Sequence, residues 1–221
     1  MVSDLVRADD LNNIFGSWDS FSLAGALGKS SSSLPAWRWL VAEQGVWRED
    51  NPRGLRVSEN YVYGQFGYSI NDNASIWIGY LHDWQQPLGK NSFEENRAYQ
   101  DYLWVYPVLN GQINLRTRMD ERVNQTTGNV GVRVRELIQF SCPLKQIAGL
   151  SAYMSGELFA YLNQNSFGVI GFSEARAATG LSYNVNPHLG MDFGYLAVFI
   201  NNTGKPDLFS HNVQVNLRYT F

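Results

Sequence analysis

Arg116, Arg118, Asp120 and Arg122 stand at every second position of one short stretch, and Arg133 and Arg135 repeat that spacing further along. Alternate residues of an extended strand share a face, so this pattern collects guanidinium and carboxylate groups on one surface. Glu157, Glu174, Arg176, Asp192 and Arg218 fall in the same phase of their own segments, opposite an aliphatic phase. Two chemistries suit such a face. Arginine forks bind carboxylates in bidentate pairs, which would make it a self-satisfied ionic lattice. Alternatively, seven arginines against four acids would leave positive charge that favours small anions by electrostatic focusing.

A rival chemistry rests on His82-Asp83 and Ser210-His211, which together could supply a base, an orienting acid and a nucleophile for hydrolysis. Neither pair sits in a nucleophile elbow or in a His-x-Ser spacing, and His188 lies in a turn at the opposite side. No cluster of His, Cys and carboxylates has metal-ligand spacing. Asp72 and Asp207 lack the carboxylate density that calcium needs, so no cofactor is expected. The single cysteine, Cys142, excludes an intrachain disulfide and reads as a small half-buried side chain.

The elements that must carry these residues are strands. The last stretch, 211–221, puts Val213, Val215, Leu217, Tyr219 and Phe221 on one face and Asn212, Gln214, Asn216, Arg218 and Thr220 on the other. At about ten residues it is long enough to cross a bilayer at a tilt. Similar segments recur at 17–27, 37–48, 56–70, 74–85, 96–108, 112–123, around Val132 to Phe140, and at 150–163, 173–185 and 189–201. Turn chemistry separates them, above all Asn110-Gly111, and residues 29–35 read as a loop. The segment at 37–48 is out of clean alternation, which predicts a bulge. Glu136 falls on the aliphatic face, which implies a register shift or an oligomer contact.

The net charge of −3 argues against a nucleic-acid partner, and no apolar run is long enough for a transmembrane helix. A soluble sheet protein and a membrane barrel remain, and they differ in which face is enclosed. The aliphatic faces read as uniform. Aromatics gather near strand ends, at Trp37, Trp39, Trp84, Trp104, Tyr106, Tyr183, Tyr219 and Phe221, as they do at bilayer interfaces. Short turns alternate with longer polar loops, which favours an all-β, transmembrane, antiparallel up-and-down barrel of 10 to 12 strands over residues 17–221. Residues 1–16 read as a tail in which a signal peptide is absent or removed. Eleven segments conflict with the even count of bacterial single-chain barrels, so ten or twelve strands are expected.

Several short motifs occur in order: Trp18-Asp19-Ser20-Phe21-Ser22-Leu23, Ser75-Ile76-Trp77-Ile78-Gly79-Tyr80, Glu95-Asn96-Arg97, Leu115 to Arg122, Arg133-Val134-Arg135, Gly156-Glu157-Leu158-Phe159, Gly171-Phe172 with Arg176, and Gly180-Leu181-Ser182-Tyr183. Together they resemble a widespread family of small Gram-negative outer-membrane proteins catalogued as a domain of unknown function. The resemblance implies a barrel in the bacterial outer membrane, in contact with its lipid and lipopolysaccharide. It also implies insertion by the barrel-assembly machinery through the aromatic final strand, with Tyr219 and Phe221 as the signal. It implies no catalytic residue.

The expected function is therefore a structural or narrow pore-type barrel with an arginine-rich lumen open to small anionic solutes; the alternative is a surface hydrolase at the extracellular rim. Replacing Arg116, Arg118 and Arg135 together should alter anion passage or barrel stability while His82 and His211 prove dispensable. A hydrolase would show the reverse in an activity assay of the same variants.

Overall fold

The computed structural model describes residues 11–27, 37–50, 53–88, 91–202 and 206–221. They form eleven strands: β1 (Leu11–Leu27), β2 (Trp37–Glu49), β3 (Leu55–Ser69), β4 (Ala74–Gln85), β5 (Phe93–Val108), β6 (Gly111–Asn124), β7 (Val130–Pro143), β8 (Leu150–Tyr161), β9 (Gly171–Asn184), β10 (Leu189–Ile200) and β11 (Asp207–Thr220). Each strand pairs antiparallel with its chain neighbours, and the sheet closes on itself where β1 meets β11. The fold is thus an all-β, up-and-down barrel within the expected range of strand number. The even count does not hold. An odd number of alternating strands leaves the first and last running in the same direction, so closure must be parallel, and β1 and β11 pair in parallel from Leu11↔Asp207 to Ala24↔Thr220.

That pairing also moves the start of the wall. Residues 11–16, expected in the tail, extend β1 because their partners in β11 continue to Asp207. Residues 1–10 of the tail and the 29–35 loop lie outside the described residues. The connections at 70–73, 109–110, 144–149 and 185–188 gather at one end of the barrel, here called the turn end, where 28–36 also joins β1 to β2. Those at 50–54, 86–92, 125–129, 162–170 and 201–206 define the loop end. In the 109–110 hairpin Asn110 takes the left-handed conformation (φ 64) that asparagine tolerates better than most residues.

The bulge expected in 37–48 lies instead on the neighbouring strand: β2 runs regularly, and opposite its Val46/Trp47 step the extra residue is Ser58 of β3. A second bulge at Phe159/Ala160 leaves Ser173 of β9 unpaired. Both serines turn back on the ladder, Ser58 Oγ donating to Val46 O at 3.1 Å and Ser173 Oγ to Phe159 O at 3.3 Å. Each bulge separates residues that a regular strand would place on one face. Val57 pairs beside the outward Trp47 while Glu59 turns inward. Phe172 likewise pairs with Ala160 while Glu174 turns into the barrel.

The aliphatic faces point outward and the polar faces inward. Phe66, Ile78 and Phe193 are 57, 67 and 63 % exposed, whereas Glu95, Asp120 and Arg133 are buried. Inside, rings are laid flat against glycines of the neighbouring strand. Gly67 pairs with Trp77 and Gly79 with Tyr99, and a Cβ at either glycine would come within 2.2 Å of the facing ring. A small apolar cluster of Trp18, Val46, Leu196 and Val198 fills the lumen beside the closure seam.

The parallel seam can be checked directly. Ser20 Oγ donates to Asn216 Oδ1 at 2.7 Å across β1 and β11, so cysteines at these two positions, in a Cys142→Ser background, should cross-link on oxidation. A faster-migrating band on a non-reducing gel is the expected result.

Candidate functional site: the charged lumen

Alternation along β5 to β9 brings the ionic residues into contact. On β6, Arg116, Arg118, Asp120 and Arg122 all face inward, and Arg133 and Arg135 of β7 face them across the ladder. Arg133 Nη2 meets Asp120 Oδ2 at 2.7 Å, and Arg135 Nη1 approaches the same oxygen at 3.8 Å. Glu157 of β8 accepts from Arg116 at 2.6 Å and from Arg135 at 2.8 Å through the same oxygen. Arg176 of β9 donates to Glu174 at 2.5 Å. Seven of the residues marked by the sequence, Arg116, Asp120, Arg133, Arg135, Glu157, Glu174 and Arg176, therefore form one continuous set of ion pairs, closed by Arg133 and Glu174 at 4.0 Å, while Arg118 and Arg122 pair with other acids beside it. Arg218 and Asp192 stand apart, paired with each other near the turn end.

Sequence reasoning missed several members of this lattice. Glu95, fully buried on β5, accepts from Arg97 at 2.8 Å and from Arg122 at 2.8 and 2.5 Å. Asp101 holds Arg118 in a two-pronged pair, both contacts 2.6 Å. Asp83 lies near Arg97 at 3.8 Å, and Glu59 takes Arg48 at 3.0 Å. Arg38 faces inward too, over the Trp77 ring. The signal was available in Glu95, Arg97, Tyr99 and Asp101, which alternate along β5 in the same way as the arginines of β6. Glu59 was hidden by the bulge before it. With these additions, and with Arg56 opposite Arg48 in the register, eleven inward arginines (Arg38, Arg48, Arg56, Arg97, Arg116, Arg118, Arg122, Arg133, Arg135, Arg176, Arg218) face eight acids (Glu59, Asp83, Glu95, Asp101, Asp120, Glu157, Glu174, Asp192) among the described strand residues. The surplus of positive charge is smaller in proportion than the sequence implied.

Aromatic rings separate the pairs. Arg118 lies 3.8 Å from the centroid of Tyr99, Arg135 4.6 Å from Phe159, and Arg176 4.5 Å from Trp18. Phe167, from the 162–170 connection, sits 4.2 Å from Arg122 and covers the lattice at the loop end. Stacking of this kind is favourable for a planar, weakly hydrated guanidinium. The lattice splits the lumen in two. Toward the turn end is a cavity of about 630 Å³, and toward the loop end a gap of about 120 Å³. Trp18, Tyr61, Arg97, Arg135 and Arg176 line both and form the partition between them.

The residues that suggested hydrolysis are not brought together. His82 faces outward, hydrogen-bonded to Asn96 at 2.7 Å, while Asp83, its neighbour in the strand, is buried in the lumen beside Gln85. Ser210 is buried and bonded to Asn212, whereas His211 faces outward against Tyr195. Adjacent residues of a strand point to opposite faces, so each pair is split by the wall itself. His188 bonds the Thr220 carbonyl at the turn end. Glu136 stands on the outer face in a regular register and accepts from Thr117 at 2.8 Å, so no register shift accounts for it. The outer wall is accordingly not uniformly aliphatic: Glu43, bonded to Asn60 at 2.7 Å, and Gln100 also interrupt it. Tyr219 and Phe221 meet edge to face at the turn end of β11, their planes 76° apart.

Residues 15–209 match a family described as proteins of unknown function, DUF2490. An uncharacterized protein of Methylorubrum extorquens is 29% identical over 154 residues, covering 68% of each chain. No solved structure matches the chain.

Because Glu157 serves the buried Arg135 and the half-buried Arg116, Glu157→Gln should destabilise the barrel by about 3–5 kcal/mol, the usual cost of leaving a buried charge unpaired. Glu136→Gln, exposed on the outer wall, should change stability by less than about 0.5 kcal/mol. Denaturant unfolding followed by tryptophan fluorescence would compare the two.

Proposed function

Starting from the fact that the chain belongs to the DUF2490 family of proteins of unknown function, we propose that it is a structural barrel of the bacterial outer membrane with at most a narrow, anion-favouring path through its lumen. The observation that carries this reading is the inverted distribution of polarity. A water-soluble barrel encloses its apolar face, whereas this one encloses ion pairs and presents Phe66, Ile78, Leu158, Phe193 and Val213 outward. Exposed apolar surface of that extent is stable when lipid covers it.

The aromatic distribution supports the same solvent. Trp37, Tyr68, Trp104, Tyr106, Tyr183 and Tyr219 stand on the outer face near the turn end, and Phe15, Trp47, Trp84 and Phe172 near the loop end. Rings of this amphipathic type favour the two bilayer interfaces. The partners of such a barrel are outer-membrane lipid and lipopolysaccharide, and the assembly machinery that would engage Tyr219 and Phe221 on β11. Small anionic solutes are the only cargo its partitioned lumen would pass.

The ion-pair partition argues for restricted passage. Fixed charge paired at 2.5–2.9 Å leaves little room for a hydrated solute, and the modest arginine surplus would favour anions among those that do enter. Purified protein reconstituted in a planar bilayer should give small conductance events whose reversal potential under a salt gradient lies on the anion side. Arg116→Gln with Arg135→Gln should move that potential toward the cation side. Porin-sized steady currents would refute the narrow lumen, and a chain that stays monodisperse without detergent would refute the membrane assignment.

A further inference from the structure

The turn-end cavity differs in character from the lattice that closes it. Near the partition its surface is cationic, and further out amides and hydroxyls surround the Asp192–Arg218 pair. We propose that this half of the lumen is a binding site for a small polyhydroxylated anion, of the sugar-acid or sugar-phosphate class. Nothing in this assignment requires the outer wall to face lipid, so it stands or falls separately from the membrane reading.

Three observations carry it. First, Arg116 and Arg176 are the more accessible members of the lattice, their side chains 21 and 20 % exposed against 5 to 10 % for Arg133, Arg118, Arg97 and Arg122, and Arg116 stands on the turn-end side of the partition. The Nη2 of Arg116 reaches Glu157, but its Nε has no partner among the described residues. Glu157 is already shared with Arg135, so two guanidinium groups meet one carboxylate at the inner end of the cavity. An incoming carboxylate or phosphate would complete that set with charge-assisted hydrogen bonds.

Second, the amide-bearing wall is biased toward donors. Gln65 Oε1 accepts from Tyr99 at 3.1 Å, Gln214 Oε1 from Tyr153 at 3.2 Å, and Asn216 Oδ1 from Ser20 at 2.7 Å. Each contact occupies the acceptor end of the amide and leaves its NH2 group for a ligand oxygen. Ser155 and Ser182 add hydroxyls that both donate and accept. Such a wall offers N–H donors to ligand oxygens, and its serine hydroxyls can accept in return from ligand hydroxyls, which suits a sugar acid.

Third, the size fits. A cavity of about 630 Å³ lies within the range of small-molecule sites, large enough for a mono- or disaccharide. Its turn-end lining includes Gln112, which is exposed, and its inner end is stopped by the partition at Trp18 and Arg176. A solute that enters therefore meets a closed inner end, which is the geometry of a binding pocket more than of a conduit.

The test uses the full chain in detergent, with folding verified by heat-modifiable gel mobility. Glucuronate and glucose 6-phosphate are titrated by calorimetry, with glucose as the neutral comparison. Saturable binding of at least one acid, at least tenfold tighter than glucose, is expected. Arg116→Gln should weaken it at least tenfold, Ser155→Trp should abolish it by filling the cavity, and Glu136→Gln on the outer wall should leave it unchanged. If Arg116→Gln does not fold, Ser155→Trp decides. Absence of saturable binding by folded protein, equal binding of glucose, or affinity unaffected by Ser155→Trp would overturn the assignment.

Discussion

The pairing of arginine forks with shared carboxylates inside a closed sheet is the interaction on which this barrel depends. Eleven strands enclose more space than aliphatic side chains projecting from the wall would fill, and long arginines reach across it. Once removed from water, each guanidinium needs an acceptor. Glu95 serves Arg97 and Arg122, Asp101 serves Arg118, and Glu157 serves Arg116 and Arg135. Ion pairs of this kind add little net stability compared with apolar packing, but a misplaced one is costly. Their effect is to fix register. A one-residue slip of β6 would turn Arg118 and Arg122 to the outer wall and bring Leu115 and Met119 inside, so the lattice exists in one alignment of β5, β6, β7 and β8 only.

The bulges serve the same lattice. Regular alternation would set Phe172 and Glu174 on one face, and Val57 and Glu59 likewise. In each case an unpaired serine resets the phase, and the acid that follows it joins an arginine inside. The glycines opposite Trp77 and Tyr99 make room for rings that separate the cations, so Arg118 rests on Tyr99 rather than against another guanidinium. Local departures from ideal strand geometry thus fall where the interior needs them.

The outer wall follows a different constraint. Its polar interruptions, Asp19, Glu43, Gln100, Glu121 and Glu136 among them, are partly self-satisfied, Glu43 by Asn60 and Glu136 by Thr117. Closing the barrel with a parallel β1–β11 pair leaves no open edge, and it sends both the first and the last strand from the loop end to the turn end. The Trp18, Val46, Leu196 and Val198 cluster lies along that seam, so the parallel junction is backed by apolar packing while the ionic lattice occupies the opposite side of the lumen.

Periodicity alone determined a good deal. The two-residue alternation of Val213 to Phe221, and of Arg116 to Arg122, specified strands, their number within one or two, and two faces of opposite polarity, because in an extended chain side-chain direction follows from sequence position. It also reached the membership of Arg133, Arg135 and Glu157 on one face, but it placed in β2 a bulge that belongs to β3. Tertiary structure decided everything that depends on which strands are neighbours across the seam or across the lumen. Parallel closure, the extension of β1 to Leu11, the partners of each arginine and the splitting of the cavity arise from pairing between residues far apart in the chain, and spacing along one strand carries no information about them. The same reason explains His82 and Asp83: proximity in sequence suggested a catalytic pair, but in a strand adjacent residues face opposite sides, and only the closed wall determined that one side is the lumen and the other the outside.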